Sequence, residues 1–111
     1  MSDCLFCKIA AGEVPADKVY EDERVVVFKD INPKAKVHLL AIPRIHLASL
    51  EDLQPEHDEL MGYMLRLLPR IAREQGLENG FRTVINTGKG GGQVIFHLHI
   101  HLLGGPGLPG F

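Results

Sequence analysis

The strict alternation of histidine and apolar residues near the end of the chain constrains the fold more than any other feature. His97, His99 and His101 are separated by Leu98 and Ile100 in the stretch FHLHIHLLGG. Successive side chains of a β-strand point to opposite faces of the sheet, so this period of two predicts a strand with an imidazole face and an apolar face. The alternative is an exposed strand that happens to be histidine-rich. It is disfavoured, because three of the six histidines share this spacing.

The remaining patterns predict an α+β domain with a mainly antiparallel sheet of about five strands, one short helix and one long helix. In chain order the segments are a helix at CLFCKIAAGE, a hairpin at KVYED and RVVVFKD, a strand at KVHLLAI, a helix at PEHDELMGYMLRLLPRIAREQG, and strands at FRTVINTG and QVIFHLHIHLL. No βαβ alternation appears. One domain is expected over residues 1–111, with an irregular, Gly/Pro-rich tail at 104–111.

The long helix has an unusually wide apolar face. At about 100° per residue, its apolar side chains span an arc of roughly 160°, wider than one core-facing stripe needs. They are Leu60, Met61, Met64, Leu65, Leu67, Leu68, Ile71 and Ala72. Two interpretations remain open: a deeply seated helix, or a helix that also packs on a partner. Pro69 lies on its flank and is expected to kink or split it.

Bulk composition excludes several classes of protein. The formal net charge is −2, which provides no basic surface for nucleic acid. We find no signal peptide and no apolar run of about 20 residues, so we expect a cytoplasmic protein without a membrane segment. The two cysteines, Cys4 and Cys7, have Cys-x-x-Cys spacing, which by itself fits a redox pair, half of a zinc site or chance.

The geometry of the histidine strand and the loop before it limit the roles that the three histidines can have. At about 3.3 Å per residue, three imidazoles on one straight strand are too far apart to share one metal ion, so at least one has another role. Glycines at 88, 90, 91 and 92 precede the strand, and glycine-rich backbone forms anion-binding concavities. Hairpin loops also favour glycine, but here the combination indicates a phosphate beside a histidine nucleophile.

The stretch GGQVIFHLHIHLLGG resembles the histidine triad (HIT) motif, His-φ-His-φ-His-φ-φ with φ apolar. The segment at residues 4–47 is similar to the amino-terminal half of the histidine triad nucleotide-binding (Hint-like) branch of that superfamily, including its zinc-bearing bacterial members. The resemblance covers residues 4–105. It implies a HIT fold that forms a homodimer, with a continuous sheet across the two copies. It also implies hydrolysis or transfer at the α-phosphate of a nucleotide.

The resemblance also implies roles for individual residues. His99 would attack phosphorus and form a covalent nucleotidyl-histidine, His101 would contact the phosphate, and His38 would support the triad by hydrogen bonding. The implied nucleotide-binding residues are Phe6, Ile9, Phe28, Asp30, Ile31, Asn86, Gly92, Gln93 and Val94. Taken alone, Phe6, Ile9, Phe28 and Ile31 are better explained as core, and Asp30-Ile31-Asn32-Pro33 is explained equally well as a turn.

Two positions depart from the family pattern. Several relatives have serine where this chain has Val94, and many have arginine where it has Pro106. These departures leave the handling of the leaving group open.

In zinc-bearing relatives, two early cysteines, a histidine after a strand and the first triad histidine bind one zinc ion. These positions correspond to Cys4, Cys7, His46 and His97. Such a Cys2His2 set fills the tetrahedral coordination of zinc, so the ion would be structural. His57 is expected to be a surface residue, and no organic cofactor is implied.

The activity implied is hydrolysis of purine nucleoside 5′-phosphoramidates or related AMP and GMP conjugates. Two alternatives stay open. One is a dinucleoside polyphosphate hydrolase with the same fold. The other is a zinc-stabilised nucleotide-binding or interaction module without a dedicated catalytic role.

Overall fold

The structure is a computed structural model and describes residues 3–110. Its elements are helix α1 (Leu5–Ala10), strands β1 (Lys18–Glu21), β2 (Val25–Lys29) and β3 (Val37–Pro43), helix α2 (Asp58–Glu74), and strands β4 (Arg82–Val84) and β5 (Ile100–Gly104). All strand pairs are antiparallel, in the order β1-β2-β3-β5-β4. The prediction of an α+β fold with five antiparallel strands, one long helix and one short helix is therefore confirmed.

Each face of the sheet is covered by one helix. On one face, α2 packs on alternate residues of the central strands, among them Val25, Leu39 and Ile100. On the other face, α1 places Phe6 and Ile9 against the remaining residues of β2 and β3. The three central strands therefore read as nearly continuous apolar runs, since both of their faces are buried.

The alternation around the histidines is confirmed, but the predicted strand is too long. Leu98, Ile100 and Leu102 are each 0% exposed. Sheet pairing, however, begins only at Ile100, and residues 93–99 lie outside the ladder. One cause is that the Leu98 N–H donates to the Leu47 carbonyl in a loop, at 2.6 Å, instead of to a neighbouring strand. Strand β4 is likewise shorter than FRTVINTG, and the irregular tail begins at Gly105, after β5. Phe111 lies outside the described residues.

Helix α2 runs without interruption through Pro69, so the proline does not split it. Pro55 lies outside α2 and begins a separate 3-10 turn, Pro55–His57, just before that helix. Met64, Leu68 and Ile71 are almost fully buried, whereas Leu65, in the same predicted arc, is 49% exposed. The sheet thus covers only part of the apolar arc. Within residues 3–110, no helix is long and apolar enough to cross a membrane.

A carboxylate joins the β1–β2 turn to α2. Asp22 accepts hydrogen bonds from the hydroxyls of Tyr63 and Tyr20 and from the N–H groups of Arg24 and Val25. Burial alone would raise the pKa of Asp22, but these four donors outweigh it and lower the pKa to about 2.

Tyr63→Phe is expected to lower the free energy of unfolding at pH 7, since it removes one hydrogen bond to an ionised group. A depressed carboxyl pKa stabilises the fold above the unfolded pKa of about 4, and this contribution is lost as the pH falls towards 2. The difference between wild type and variant, measured by urea unfolding, should therefore shrink between pH 4 and pH 2. A difference that stays constant with pH would instead assign the effect to packing.

Candidate functional site

A cavity of about 610 Å³ lies beside α1 and the histidines. Its walls come from α1, from the loops after α1 and β2, and from the glycine loop. The histidine-rich segment lines it with His99 and His101, and β3 contributes His38. Most of its lining is apolar, with few polar groups, which is the usual character of a small-molecule site.

His99 is held in one tautomer. Its Nδ1 lies 2.8 Å from the His97 carbonyl oxygen, so Nδ1 carries the hydrogen and donates it. Nε2 of the neutral ring then keeps its lone pair for the cavity. The ring packs edge-to-face on Phe6, with centroids 5.2 Å apart, and the residue is 8% exposed. A buried, oriented imidazole with a free nitrogen is suited to nucleophilic attack.

His38 and His101 form a directed hydrogen-bond chain. The backbone N–H of Lys34 donates to His38 Nδ1 at 3.0 Å, so in the neutral ring Nε2 bears the hydrogen. His38 Nε2 lies 2.9 Å from His101 Nδ1 and donates to it. His101 therefore carries its own hydrogen on Nε2, as a donor for a ligand in the cavity.

Burial holds His38 and His101, two of the imidazoles at the cavity, in the neutral form. Burial lowers the pKa of His38, with Asp30 opposing the shift. Burial, reinforced by His99 and His38, lowers the pKa of His101 to about 4. The tautomers set by these hydrogen bonds therefore persist near neutral pH.

Three residues of the predicted nucleoside pocket belong to the core, whereas the core interpretation of Ile31 is wrong, because Ile31 is exposed. Phe6, Ile9 and Phe28 are buried at 3–5% exposure, and they also line the cavity. For these three residues, the two interpretations left open by the sequence are therefore compatible. Ile31, 91% exposed, and Asp30 both lie on the cavity wall.

The glycine loop differs from the predicted anion nest. It forms a 3-10 turn at Lys89–Gly91, and the N–H groups of Gly91, Gly92 and Gln93 donate to carbonyls within that turn. Gly88 and Gly92 have φ of 73° and 86°, which explains glycine at both positions. These N–H groups serve the loop itself, so they do not form the predicted concavity for phosphate.

Among the predicted phosphate-side residues, Asn86, Gly92 and Val94 line the cavity, but the side chain of Gln93 does not. Gln93 is 5% exposed, and its amide accepts from Gly88 N–H and donates to the carbonyls of Ala48 and Ile95. Its side chain therefore holds the loop in place. Val94 is 86% exposed at the cavity rim.

A second cluster lies behind α1, away from the cavity. His97 Nδ1 is 3.3 Å from Cys4 Sγ, 3.5 Å from Cys7 Sγ and 3.3 Å from His46 Nδ1, and Cys7 Sγ is 3.3 Å from His46 Nδ1. Tetrahedral zinc, with bonds of about 2.0 Å to nitrogen and about 2.3 Å to sulfur, requires N–N separations of about 3.3 Å and N–S separations of about 3.5 Å. These four residues therefore have the spacing of a zinc site.

The outer hydrogen bonds of the cluster also fit a metal. His97 Nε2 donates to the Pro43 carbonyl at 2.8 Å, which leaves Nδ1 free to coordinate. Burial, followed by a hydrogen bond with Cys4, raises the pKa of the Cys7 thiol, and a bound cation would reverse this shift by stabilising the thiolate.

Asp30, His38 and His101 also lie close enough together to hold a metal ion. Here the hydrogen bonds argue against coordination. His38 Nδ1 accepts from a backbone N–H, so Nε2 carries a hydrogen and has no lone pair for a metal. Metal-binding histidines usually donate from their second nitrogen, as His97 does.

Sequence reasoning missed two parts of the cavity. Leu5 and residues 14–16 line its α1 side, and Val84 and Leu103 line it from the sheet. Leu5 stands between the two cysteines and could have been assigned from its place on α1. The Lys34 N–H that fixes His38 is a backbone group, and no residue pattern indicates it.

Comparison with known proteins identifies the class. The family model described as the scavenger mRNA decapping enzyme C-terminal binding region matches residues 3–107. A HIT family hydrolase from Legionella pneumophila superposes with a TM-score of 0.93 at 45% identity, covering 96% of each chain. The chain belongs to the HIT family.

Individual relatives are similar over nearly their whole length. Protein HitA of Neisseria gonorrhoeae is 58% identical, over 96% of this chain and 99% of its own. The purine nucleoside phosphoramidase of Escherichia coli is 41% identical, over 93% of this chain and 87% of its own.

The names of two similar proteins mention zinc. A 14 kDa zinc-binding protein from Zea mays is 45% identical, over 94% of this chain and 83% of its own. A zinc-bound histidine triad family protein from Mycobacterium smegmatis superposes with a TM-score of 0.78 at 39% identity, over 91% of this chain and 73% of that one.

Proposed function

We propose that this HIT-family chain hydrolyses purine nucleoside 5′-phosphoramidates or related nucleotidyl conjugates at the α-phosphate. The observation that carries the proposal is His99, whose Nδ1 is fixed by the His97 carbonyl while Nε2 remains free beside an apolar cavity. The E. coli relative is named for this activity and supports the same substrate class.

In the proposed reaction, His99 Nε2 attacks the α-phosphorus and the bond from phosphorus to the amine nitrogen breaks. The amine takes up a proton and leaves. Water then attacks the same phosphorus, the bond to His99 breaks, and the nucleoside monophosphate is released. Dividing one displacement into two lowers the barrier, and the Nε2–H of His101 is the group proposed to stabilise the phosphoryl oxygens.

The charges around the cavity favour an amine over a polyphosphate as the leaving group. Among residues 3–110, Lys29 and Lys34 are the only basic residues that line the cavity apart from histidine, and Lys29 is paired with Asp17 at 3.6 Å. A departing nucleoside polyphosphate carries several negative charges and would need more cations than this.

Parallel turnover of adenosine 5′-phosphoramidate, guanosine 5′-phosphoramidate and diadenosine polyphosphates tests the proposal. We expect kcat/KM for the phosphoramidates to exceed that for the polyphosphates by at least about tenfold. The opposite preference would identify a dinucleoside polyphosphate hydrolase. Nucleotide binding without turnover of any of them would identify a binding module.

We propose that Cys4, Cys7, His46 and His97 bind one structural zinc ion. The observed spacing and the outer hydrogen bond of His97 support this assignment. Four protein ligands leave no open position for water or phosphate, so the ion would hold α1 and the segment before β5 together rather than take part in the chemistry. Free thiols at this site fit the reducing cytoplasm that the sequence predicts.

We further propose a homodimer that joins the flank of α2 and the outer edge of β4. β4 is an edge strand of the sheet, and Leu65 exposes 49% of its surface on the α2 flank. A second copy at this edge would extend the sheet and cover the remainder of the apolar arc.

Leu65→Lys is expected to weaken the dimer by at least about tenfold, because it places a charge in an apolar contact. Light scattering across micromolar concentrations should give twice the 12.3 kDa chain mass for wild type and a lower mass for the variant. Ala11→Lys changes the exposed residue that follows α1, adds the same charge on the opposite side of the sheet and should remain dimeric. A wild-type monomer throughout would mean that the arc is only core.

A further inference from the structure

The residues around His38 place one hydrogen between two acceptors. His38 Nε2–H lies 2.9 Å from His101 Nδ1 and 3.4 Å from Asp30 Oδ2. A carboxylate oxygen attracts a donor more strongly than a neutral imidazole nitrogen does, so a small movement of the side chains would transfer the hydrogen bond from His101 to Asp30.

The two oxygens of Asp30 are not equivalent. Oδ1 accepts the Asn32 N–H at 2.9 Å, which fixes the carboxylate at the end of β2. Oδ2 is the oxygen that remains, and it is also the oxygen nearest His38. Asp30, His38 and His101 all line the same cavity. Oδ2 carries no such backbone hydrogen bond, and a sugar hydroxyl that binds it uses the oxygen that competes for the hydrogen of His38.

We propose that Asp30 couples sugar recognition to the orientation of His101: a ribose hydroxyl donating to Asp30 Oδ2 releases the His38 hydrogen entirely to His101 Nδ1. His101 is then fixed with its own hydrogen on Nε2, facing the phosphate. Without the sugar hydroxyls, Asp30 Oδ2 competes for the His38 hydrogen from 3.4 Å, so the Nε2–H tautomer of His101 is fixed less completely. This inference rests on the proposed function and makes Asp30 a positioning residue as well as a binding residue.

Single-turnover kinetics with two substrates test the coupling. We compare adenosine 5′-phosphoramidate with its 2′,3′-dideoxy analogue at saturating concentrations, so that binding does not enter the rate. In the wild type, we expect loss of the hydroxyls to slow nucleotide transfer to His99 about fivefold to tenfold, the factor that corresponds to roughly one hydrogen bond.

Asp30→Asn should change this ratio. An amide group is uncharged and competes weakly for the His38 hydrogen, so the two substrates should react within about twofold of each other. The dideoxy substrate should react faster in the variant than in the wild type, a gain that loss of a binding contact alone does not produce. Asp17→Asn is the matched control, because it removes an exposed carboxylate paired with Lys29 and should keep the wild-type ratio.

Nitrogen chemical shifts of the imidazoles provide a second test that needs no variant. Adding AMP to the wild type should move His101 towards the Nε2–H tautomer, whereas 2′,3′-dideoxy-AMP should not. Equal saturating rates for the two substrates, or equal shifts with the two nucleotides, would overturn the coupling and leave Asp30 as a binding residue only. If neither phosphoramidate is turned over, the proposed function fails instead, and the shifts alone then decide the coupling.

Discussion

Replacing His99 with alanine is expected to lower kcat/KM for adenosine 5′-phosphoramidate by about four orders of magnitude, the scale of loss seen when an enzyme's nucleophile is removed. The physical reason is that His99 Nε2 is the free nitrogen at the cavity, and no other histidine can take its place. His101 uses Nδ1 for His38, and His97 uses Nε2 for Pro43. AMP affinity should change far less, because the apolar walls remain.

Mass spectrometry of reactions quenched without acid identifies the nucleophile directly. An adduct equal to the nucleotidyl group should appear on His99 in wild type and be absent from the alanine variant. His57→Ala is the control, since His57 lies outside both clusters and should leave both adduct and rate unchanged. An adduct on His97 or His101, or near-normal turnover without His99, would refute the assignment.

The second large effect concerns the proposed zinc site. A Cys4→Ser/Cys7→Ser variant is expected to lose its zinc and to melt at least about 10 °C lower, because binding free energy at a structural site adds directly to folding free energy. It should keep measurable turnover at low temperature. Elemental analysis of protein purified without chelator should give one zinc per wild-type chain.

His97→Ala should be more damaging than the double cysteine variant. It removes a ligand and also disturbs the backbone whose carbonyl holds His99 Nδ1. His57→Ala removes only the hydrogen bond that His57 Nδ1 accepts from the Gln54 N–H, so it should keep its zinc and melt less than about 5 °C below wild type. If the cysteine variant is as stable as wild type, or if wild type holds no zinc, the four-ligand assignment is wrong.

The sequence predicted to which face of the sheet each side chain points better than it predicted where each strand begins and ends. Alternation of apolar and histidine residues is a local property, so the burial of Leu98 and Ile100 followed from it directly. The start of β5 depends on where each N–H finds an acceptor, and Leu98 bonds to Leu47, some 50 residues earlier in the chain. No local pattern contains that information.

In the candidate site, too, the sequence predicted which residues are present but not which hydrogen bonds they make. Half of the residues that line the cavity followed from the family resemblance, because the resemblance depends on residue identity. The destination of the Gln93 amide, the use of the glycine-loop N–H groups within their own turn, and the Lys34 N–H behind His38 are all tertiary hydrogen bonds. They decide whether a polar group is available to a ligand, and only the folded chain shows them.

The pairing of β5 also protects the protein against one kind of misfolding. In the sheet, His101 lies opposite Leu40 on one side and Val84 on the other. A slip of β5 by a single residue would exchange its two faces, turning His101 towards α2 and Ile100 and Leu102 towards the cavity. Burying an imidazole there without a partner would cost several kcal/mol, in addition to the lost apolar burial. The shifted register would remove His101 from the cavity and bury it in the apolar core, so it would be both inactive and unstable. A chain that has reached its stable fold therefore has its histidines placed at the cavity.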